Sequence, residues 1–155
     1  MTADRTDDLR RLTHRLVRRF GALSSDSTPC GKPVSMAYAH ALMVLLYRGE
    51  LSQQELGEEL CIDKSNVARL CAKLVAAEHA TQRPCELDGR SRRVLLTRSG
   101  TRLAKDIDAS SRARFAALLG AVPANRRRDV VGALQLLVDA LDMSTTVSDA
   151  TGSSE

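Results

Sequence analysis

Aromatic side chains are scarce in this 155-residue sequence, which contains no tryptophan. The aromatic residues are Phe20, Tyr38, Tyr47 and Phe115. Aliphatic side chains and alanine must therefore fill the core, and no set of aromatic rings is available for stacking on single-stranded nucleic acid. RNA-binding domains that work by base stacking are disfavoured for this reason.

Long hydrophobic runs are also missing. The longest apolar stretch, residues 37–47, contains His40 and is far shorter than the roughly 20 residues of a membrane-spanning helix. The N-terminal segment carries charges of both signs and lacks the apolar region of a secretory signal. We therefore expect no membrane partner and a cytoplasmic location.

Cysteine pairs with CxxC spacing are absent, although the chain has four cysteines: Cys30, Cys61, Cys71 and Cys85. In a reducing compartment such residues are free thiols, metal ligands or redox sensors more often than members of a disulfide framework. They are therefore candidates for sensing rather than for structural cross-linking.

The composition that is present is that of one folded domain. Hydrophobic residues make up 43% of the chain and charged residues 27%, an ordinary globular balance. The net charge of +4 is unevenly distributed, because residues 63–105 carry ten lysines and arginines against four aspartates and glutamates. Clustered cations favour a polyanionic partner such as nucleic acid, and a solvated basic face is the alternative.

Helical periodicity marks the N-terminal part of the chain. Four apolar side chains recur at helical spacing: Leu9, Leu12, Leu16 and Phe20. They predict a first helix over residues 4–22. Residues 21–33 are rich in Ser, Gly and Pro and are expected to form a loop, which contains Cys30. A second helix is predicted over residues 35–48, ending before a glycine.

The middle of the chain predicts two short helices and a β-hairpin. Ser52 and Glu55 form a capping-box pattern that starts a helix ending near residue 60, and Asp63 is a good N-cap for the next helix. Beyond these helices, residues 81–83 and 93–96 are predicted to be strands joined by a polar tip.

Two longer helices are predicted beyond the hairpin, over residues 98–119 with Thr97 as N-cap and over residues 123–141. Residues 144–155 are expected to be disordered. The helices at both ends carry more apolar surface than one small core can bury, which favours dimerisation through them. The expected fold class is mainly α with a small β-hairpin.

The second short helix presents a polar and cationic face opposite its apolar side. The residues on that face are Lys64, Ser65, Asn66, Arg69 and Lys73. Asparagine can pair with adenine, arginine with guanine, and serine or lysine with phosphate oxygens, so the helix suits a DNA major groove. A merely soluble surface helix is the alternative. The hairpin favours DNA, because Arg90, Arg92 and Arg93 suit the negative potential of a minor groove.

Two segments of the sequence resemble a known protein family. Residues 50–74 and 88–100 closely resemble the winged helix-turn-helix core of the multiple antibiotic resistance regulator (MarR) family of bacterial transcription factors, and the likeness extends over about residues 8–142. The family's wing pattern of D-x-R followed by L-T-x-x-G is matched by Asp88, Arg90, Leu96, Thr97 and Gly100.

The resemblance implies a homodimeric regulator that binds a pseudo-palindromic operator in double-stranded DNA, most simply a repressor released by an inducer. Ser65, Asn66 and Arg69 would face the major groove and Arg90 the minor groove, with Asp88 orienting the wing arginine. Dimerisation would use residues 1–34 and 98–143, DNA binding would use the winged helix-turn-helix core at residues 35–97, and residues 144–155 would be a tail.

The sequence also departs from the family pattern at three places. Residues 78–80, Glu-His-Ala, stand at a junction where many members have glycine. Cys61 stands where glycine is common, and Cys85 stands where an acidic residue is common. We therefore expect the junction between the second short helix and the hairpin to differ from that of other family members.

The chemistry of the inducer is open. Three thiolates among Cys30, Cys61, Cys71 and Cys85 could bind a soft metal or a metalloid such as arsenite or antimonite, within or across subunits. One exposed thiol could instead form a disulfide on oxidation, and Lys32 near Cys30 would favour a thiolate there. Cys71, on the apolar side of its helix, is expected to be a core thiol. A phenolic or other apolar small molecule is the further alternative.

Other classes of site and function have less support. Zinc-sensing relatives use histidines of their fifth helix, where this chain offers only Asp106 and Asp108, so Cys30 and His40 are not expected to complete a zinc site. His14 and His79 are expected at the surface. No P-loop, GxSxG or HExxH motif occurs, so the protein is not expected to be an enzyme. A winged helix that binds protein rather than DNA is the stronger alternative.

Overall fold

A computed structural model of the chain describes residues 2–24, 26–87 and 89–151. Its helices and strands, in chain order, are α1 (Thr2–Phe20), α2 (Met36–Arg48), β1 (Leu51–Ser52), α3 (Gln53–Leu60), α4 (Lys64–Ala76), β2 (Ala80–Pro84), β3 (Arg92–Leu96), α5 (Arg98–Gly120) and α6 (Arg127–Thr151). The chain divides into two units, Met1–Arg112 and Ala113–Glu155, and the boundary falls within α5. The predicted fold class is confirmed.

The core of the first unit is aliphatic, as the scarcity of aromatic residues predicts. Its largest fully buried side chains are Leu42, Leu56, Leu74, Ile107, Val67, Val94 and Cys71. They come from α2, α3, α4, β3 and the first part of α5. Because each fully buried aliphatic side chain of this size contributes about 1.5–3 kcal/mol, this cluster fixes α4 and the hairpin on one scaffold.

Both short helices begin at the N-caps that the sequence predicts. The Ser52 hydroxyl accepts a hydrogen bond from the Glu55 backbone N–H at 3.1 Å, and the Ser52 N–H donates to the Glu55 carboxylate at 2.7 Å. The Asp63 carboxylate accepts from the Asn66 backbone N–H at 2.8 Å. These bonds satisfy amides that would otherwise lack partners in the first turns of α3 and α4.

In the described part of the chain, two residues other than glycine adopt the left-handed backbone conformation. They are Cys61, with φ of 54°, and Glu78, with φ of 59°. Both stand where the family resemblance leads us to expect glycine, the residue that adopts this conformation without steric strain. An L-residue in this conformation costs about 1–2 kcal/mol, which the packed helices on either side of each turn must offset.

The small sheet has three strands rather than the predicted two. Its order is β1-β3-β2, and both pairings are antiparallel. The hairpin strands cover residues 80–84 and 92–96, slightly more than predicted. The strand β1 has only two residues, too short to produce an alternating pattern that the sequence could reveal.

The start of α5 packs closely against the turn that follows α4. The Thr97 hydroxyl accepts from the Gly100 backbone N–H at 3.0 Å, which confirms Thr97 as the N-cap. A Cβ atom on Gly100 would lie 1.8 Å from the backbone oxygen of His79. Only glycine allows this approach. His79 is half-buried rather than at the surface as predicted, and its Nδ1 lies 2.6 Å from the Tyr38 hydroxyl.

The helix α6 is longer than the sequence predicts. It follows a 3-10 turn at Ala124–Arg126 and continues to Thr151. Residues 144–151 of the segment expected to be disordered are therefore helical, while residues 152–155 lie outside the described part. Extending an existing helix adds one hydrogen bond for each residue that it orders, which explains how a polar sequence can continue it.

Large apolar side chains remain exposed in each unit. In α1, Leu9, Leu12 and Leu16 are 48–53% exposed. In the second unit the exposed apolar residues are Phe115, Leu118, Leu119, Val130, Val131, Leu134, Leu136, Leu137, Val138, Leu141 and Met143. None of the α6 side chains that the structure describes is buried. In that same part of the chain, no helix combines the length and the apolar character needed to cross a membrane.

Candidate nucleic-acid interface

The recognition helix α4 separates its buried and exposed residues as the sequence predicts. Val67, Leu70, Cys71 and Leu74 are buried against the core. The polar side chains are all exposed: Lys64, Ser65, Asn66, Arg69 and Lys73. Three of these five residues are cationic, so the exposed face of α4 combines positive charge with side chains able to hydrogen-bond to base edges.

The N-terminal turn of α4 is held by its cap. Besides accepting from the Asn66 backbone, Asp63 accepts from the Asn66 side-chain amide at 2.6 Å. These hydrogen bonds, with the backbone bond as the largest cause, lower the pKa of the Asp63 carboxyl. Arg69 lies one turn further on, and its Nε is 3.5 Å from the Ser65 backbone oxygen. Asp63 therefore fixes the orientation of the Asn66 side chain at the start of α4.

The hairpin β2–β3 forms the wing. Beyond the last paired residues of the strands, the Cys85 backbone N–H donates to the Ser91 oxygen at 2.8 Å and closes the tip. Arg90 and Arg92 are exposed. Asp88, expected to orient the wing arginine, lies outside the described residues.

A cleft of about 370 Å³ lies where the wing meets the two short helices. Its lining residues are Ser52, Gln53, Gln54, Lys64, Arg90, Ser91 and Arg92. Among these residues three are cationic and none is acidic. The polar lining and the concentration of positive charge suit an oxygen-rich anion such as a backbone phosphate.

The sequence does not predict the contribution of α3 to this cleft. It predicts Ser52 only as a helix cap and assigns no role to Gln53 and Gln54. Their position beside Lys64 and Arg92 depends on how α3 packs against α4 and the sheet, which no local pattern shows. The glutamine pair at the start of a helix-turn-helix was the available signal, since amide side chains there can reach phosphates.

Arg93 has a different environment from the one predicted. Its guanidinium donates to Glu55 Oε2 at 2.8 Å and to the Glu50 backbone oxygen at 3.0 Å. Its Nε also lies 3.4 Å from Glu50 Oε1. Neighbouring residues of a strand point to opposite faces, so Arg92 lines the cleft while Arg93 faces the protein. The prediction that Arg93 contacts DNA therefore has no support in this geometry.

The four cysteines occupy four separate places and are all free thiols. Cys71 is fully buried, which confirms a core thiol, and burial raises its pKa. Cys61 is exposed at the turn between α3 and α4. Cys85 is half-buried in the wing.

Cys30 is half-buried rather than freely exposed. Its Sγ lies 3.0 Å from the Thr28 hydroxyl. The nearby Lys32 ammonium forms an ion pair with Asp106 at 2.6 Å, so its charge already has a carboxylate partner. Lys32 is therefore paired with a carboxylate of α5, whereas the polar neighbour of the Cys30 thiol is Thr28.

Metal binding gains no support from side-chain positions. Over residues 2–24, 26–87 and 89–151, no group of three or more His, Cys, Asp or Glu side chains is placed to hold a metal ion. A three-thiolate metalloid site within one subunit stays a prediction that these positions do not favour, because Cys71 is buried in the core and the other thiols lie on other elements. His14 and His40 are exposed.

Part of the sequence matches a known protein family. Residues 33–91, which contain α2, β1, α3, α4 and β2 and end just before β3, match the family model described as the MarR family. None of the curated proteins compared with this sequence matches it.

Several solved structures share the fold. A MarR transcriptional regulator from Methanosarcina mazei Go1 is 26% identical, with 88% of this chain and 99% of that chain covered and a TM-score of 0.70. Streptococcus pneumoniae FabT in complex with DNA is 14% identical, with coverages of 92% and 98% and a TM-score of 0.70. Bordetella bronchiseptica BpsR, whose DNA binding is regulated by 6-hydroxynicotinic acid, is 21% identical, with coverages of 86% and 92% and a TM-score of 0.68.

Proposed function

We propose that this chain is a transcriptional regulator of the MarR family, whose family model matches residues 33–91, and that it acts as a homodimer on a pseudo-palindromic operator in double-stranded DNA. The observation that carries the proposal is the exposed polar face of α4 beside a cleft lined by Lys64, Arg90 and Arg92. A helix with an exposed polar face can read base edges in the major groove, and cationic side chains beside it can hold the DNA phosphate backbone.

Each exposed side chain has a role in this proposal. Ser65, Asn66 and Arg69 read base edges in the major groove, and Lys64 and Lys73 neutralise phosphates. Arg90 and Arg92, on the wing, meet the minor groove and its flanking phosphates. The DNA complex of the similar FabT supports a duplex as the partner of this fold.

Dimerisation is supported by the apolar surface that one chain leaves exposed. Leu9, Leu12 and Leu16 form a stripe on α1, and the apolar side of α6 includes Val130 and Leu134. A second copy that covers these helices would bury this surface, and the two α4 helices of the dimer would be related by a two-fold axis. Two such helices read half-sites about 34 Å apart, one turn of the duplex.

The test of DNA binding is its dependence on salt, measured by fluorescence anisotropy with a duplex from the region upstream of the protein's own gene. If 6–10 phosphates are neutralised, affinity should fall by about 10³–10⁵ between 50 and 200 mM salt. A scrambled duplex of the same length is the control and should bind much more weakly. Failure to bind either duplex at low salt would favour the protein-binding winged helix instead.

We further propose that the protein is a repressor released by an inducer. Regulation of BpsR by 6-hydroxynicotinic acid supports a small aromatic ligand, which corresponds to the phenolic alternative of the sequence analysis. Oxidation of an exposed thiol is the second candidate, because Cys61 lies at the turn that leads into α4. Binding of arsenite or antimonite is expected to use thiolates from both subunits, since the described residues of one subunit bring no such cluster together.

The inducer proposal is tested by titrating the DNA complex with salicylate, with peroxide and with arsenite. Wild type and four Cys→Ser variants, one for each of Cys30, Cys61, Cys71 and Cys85, are compared. Release by peroxide or arsenite that one variant abolishes identifies a sensing thiol. Release by salicylate in all five proteins supports the small-molecule inducer, and identical responses of all five to peroxide and arsenite exclude thiol sensing.

A further inference from the structure

A cluster of four charged side chains lies at the base of the wing, and the proposed DNA contacts leave it unexplained. Its members are Glu50, Glu55, Arg83 and Arg93. Glu50 accepts a hydrogen bond from Arg83 Nε at 3.1 Å and lies 3.4 Å from Arg93 Nε. Arg93 also reaches Glu55 at 2.8 Å. The cluster therefore joins the residue before β1, the start of α3 and both strands of the wing.

The pairing of β2 with β3 creates a need for this cluster. Arg83 and Arg93 are directly opposite each other in the register of the two strands. Two like charges in such positions destabilise a strand pair. Because Glu50 contacts both guanidinium groups, its negative charge offsets their repulsion. The hydrogen bond from Arg83 is the largest cause that lowers the pKa of the Glu50 carboxyl, so Glu50 is charged at neutral pH.

Glu55 connects the cluster to the helix-turn-helix. The same carboxylate that completes the capping box of α3 accepts from Arg93. The side chains of Glu50 and Arg93 are only 24% and 29% exposed, so their attraction is screened by salt less than that of a fully exposed pair. The central strand β3 is thus tied by charge to the N-terminus of α3.

The position of Arg93 also sets the position of Arg92. Successive side chains of a strand point to opposite faces, so a strand that holds Arg93 against Glu50 and Glu55 presents Arg92 on the other face. Arg92 lines the cleft together with Lys64. The charged cluster and the cationic cleft therefore lie on opposite faces of the strand β3.

We propose that Glu50, Glu55, Arg83 and Arg93 form a positioning cluster that holds the wing against α3 so that Arg92 reaches the duplex, while the cluster itself does not contact DNA. This inference rests on the proposed function. It assigns to two acidic side chains a favourable effect on DNA binding, although carboxylates near a duplex ordinarily repel its phosphates.

Because this favourable effect on DNA binding is opposite to the effect of charge repulsion, Glu50→Gln is the decisive variant. It raises the net charge by one and keeps the size of the side chain, so simple electrostatics predicts tighter binding. The positioning cluster predicts binding to the upstream duplex that is weaker by about three- to tenfold. Hydroxyl-radical footprinting should also show loss of minor-groove protection by the wing, while methylation protection in the major groove is kept.

Glu59→Gln is the matched control. Glu59 is also on α3 and also pairs with an arginine, but its partner is Arg48 of α2 rather than a residue of the wing. The control adds the same charge, and its binding should be unchanged or slightly tighter. Equal behaviour of Glu50→Gln and Glu59→Gln would overturn the proposal.

A double-mutant cycle separates positioning by Arg83 from direct contact. If Arg83 acts through Glu50, combining Arg83→Gln with Glu50→Gln should weaken binding no more than the worse single variant. Losses that multiply would overturn the proposal, because they would mean that Arg83 binds DNA independently.

Folding is monitored by circular dichroism at the assay temperature. If Glu50→Gln is not folded, Arg93→Lys takes its place, because it keeps the net charge but cannot bridge two carboxylates with a forked group. It should lose the wing footprint, and an intact footprint would overturn the proposal. If the wild-type protein does not bind the duplex, the proposed function fails. If the wild-type protein binds and Glu50→Gln binds equally well, only the positioning cluster is overturned.

Discussion

Adjacent residues of the same type have opposite environments in this wing. Arg92 is exposed in the cationic cleft, whereas Arg93 is held by Glu50 and Glu55. A similar contrast holds for Cys71, which is buried in the core, and Cys61, which is exposed at a turn. At the scale of single residues, chemical type alone therefore does not assign a role, because strand alternation and helical period decide which groups reach solvent.

At this scale Arg69 is the residue expected to read a base. Arg69→Ala should cost about 1–3 kcal/mol of operator binding and relax the sequence preference at one base pair, because a bidentate contact to guanine is lost. Competition assays with single-base operator variants measure this preference. A preference unchanged from wild type would contradict the assigned role.

Two further variants separate base reading by Arg69 from the effect of charge. Arg69→Lys keeps the charge without the forked geometry, so it should relax the preference while keeping the salt dependence. Lys73→Ala should weaken binding to all sequences alike and reduce the slope of log affinity against log salt by about 1, as expected for a phosphate contact.

At the scale of the element, α4 depends on its first turn. Asp63 caps the helix through the Asn66 backbone and also holds the Asn66 side chain. Its pKa is lowered in the folded protein, so the charged carboxylate is the form that stabilises the helix. The same residue thus orders the helix and preorganises one of its proposed base-reading groups.

Removing this cap should have an effect that depends on pH. Asp63→Ala should lower the midpoint of thermal unfolding by a few degrees at neutral pH, because a capping hydrogen bond is lost. The stabilisation by Asp63 is fully present above the unfolded-state pKa of about 3.9 and is lost as the pH falls through the lower folded-state value. The difference between wild type and variant should therefore shrink below about pH 4.

Asp63→Asn is the control for that prediction. Asparagine is about as good an N-cap as aspartate but has no carboxylate to protonate. Its stability at neutral pH should be close to wild type, and its advantage over Asp63→Ala should persist in acid. Calorimetry of the three proteins between pH 3 and 7 would contradict the prediction if the wild-type and alanine curves stayed parallel.

At the scale of the whole molecule, the second unit exposes many large apolar side chains. Along α6, Val130, Leu134, Leu137 and Leu141 recur at helical spacing on one side and are all exposed in the single chain. Contiguous exposed apolar surface of this kind marks a protein interface. A symmetric dimer would present that side of α6 to its second copy.

Placing a charge on this side of α6 should therefore prevent dimerisation. Leu134→Asp should halve the mass measured by sedimentation and weaken operator binding strongly, because burying an unpaired carboxylate is costly and a single chain reads only one half-site.

Gly132→Asp is the matched control for charge. Gly132 lies about 200° from Leu134 around the helix, at 100° per residue. A Cβ atom there meets nothing within 4 Å. This variant should remain dimeric. Loss of the dimer in both variants, or in neither, would contradict the assignment of the interface.

Much of the local structure follows from nearby residues. The N-caps Ser52, Asp63 and Thr97, the buried side of α4 and the existence of the hairpin were predictable, because each depends on hydrogen bonds or periodicity within a few positions. The exposed polar face of α4 was predictable for the same reason. The family resemblance added the winged fold that these elements build.

What required the tertiary structure was every relation between distant parts of the chain. The short strand β1, the cleft between α3 and the wing, and the capture of Arg93 by Glu50 and Glu55 all join segments about 40 residues apart. The continuation of α6 to Thr151 was also hidden, because helix extension depends on the helix already formed rather than on the polar residues that extend it. Local periodicity determines which face of an element is polar, and only packing determines which other residues that face meets.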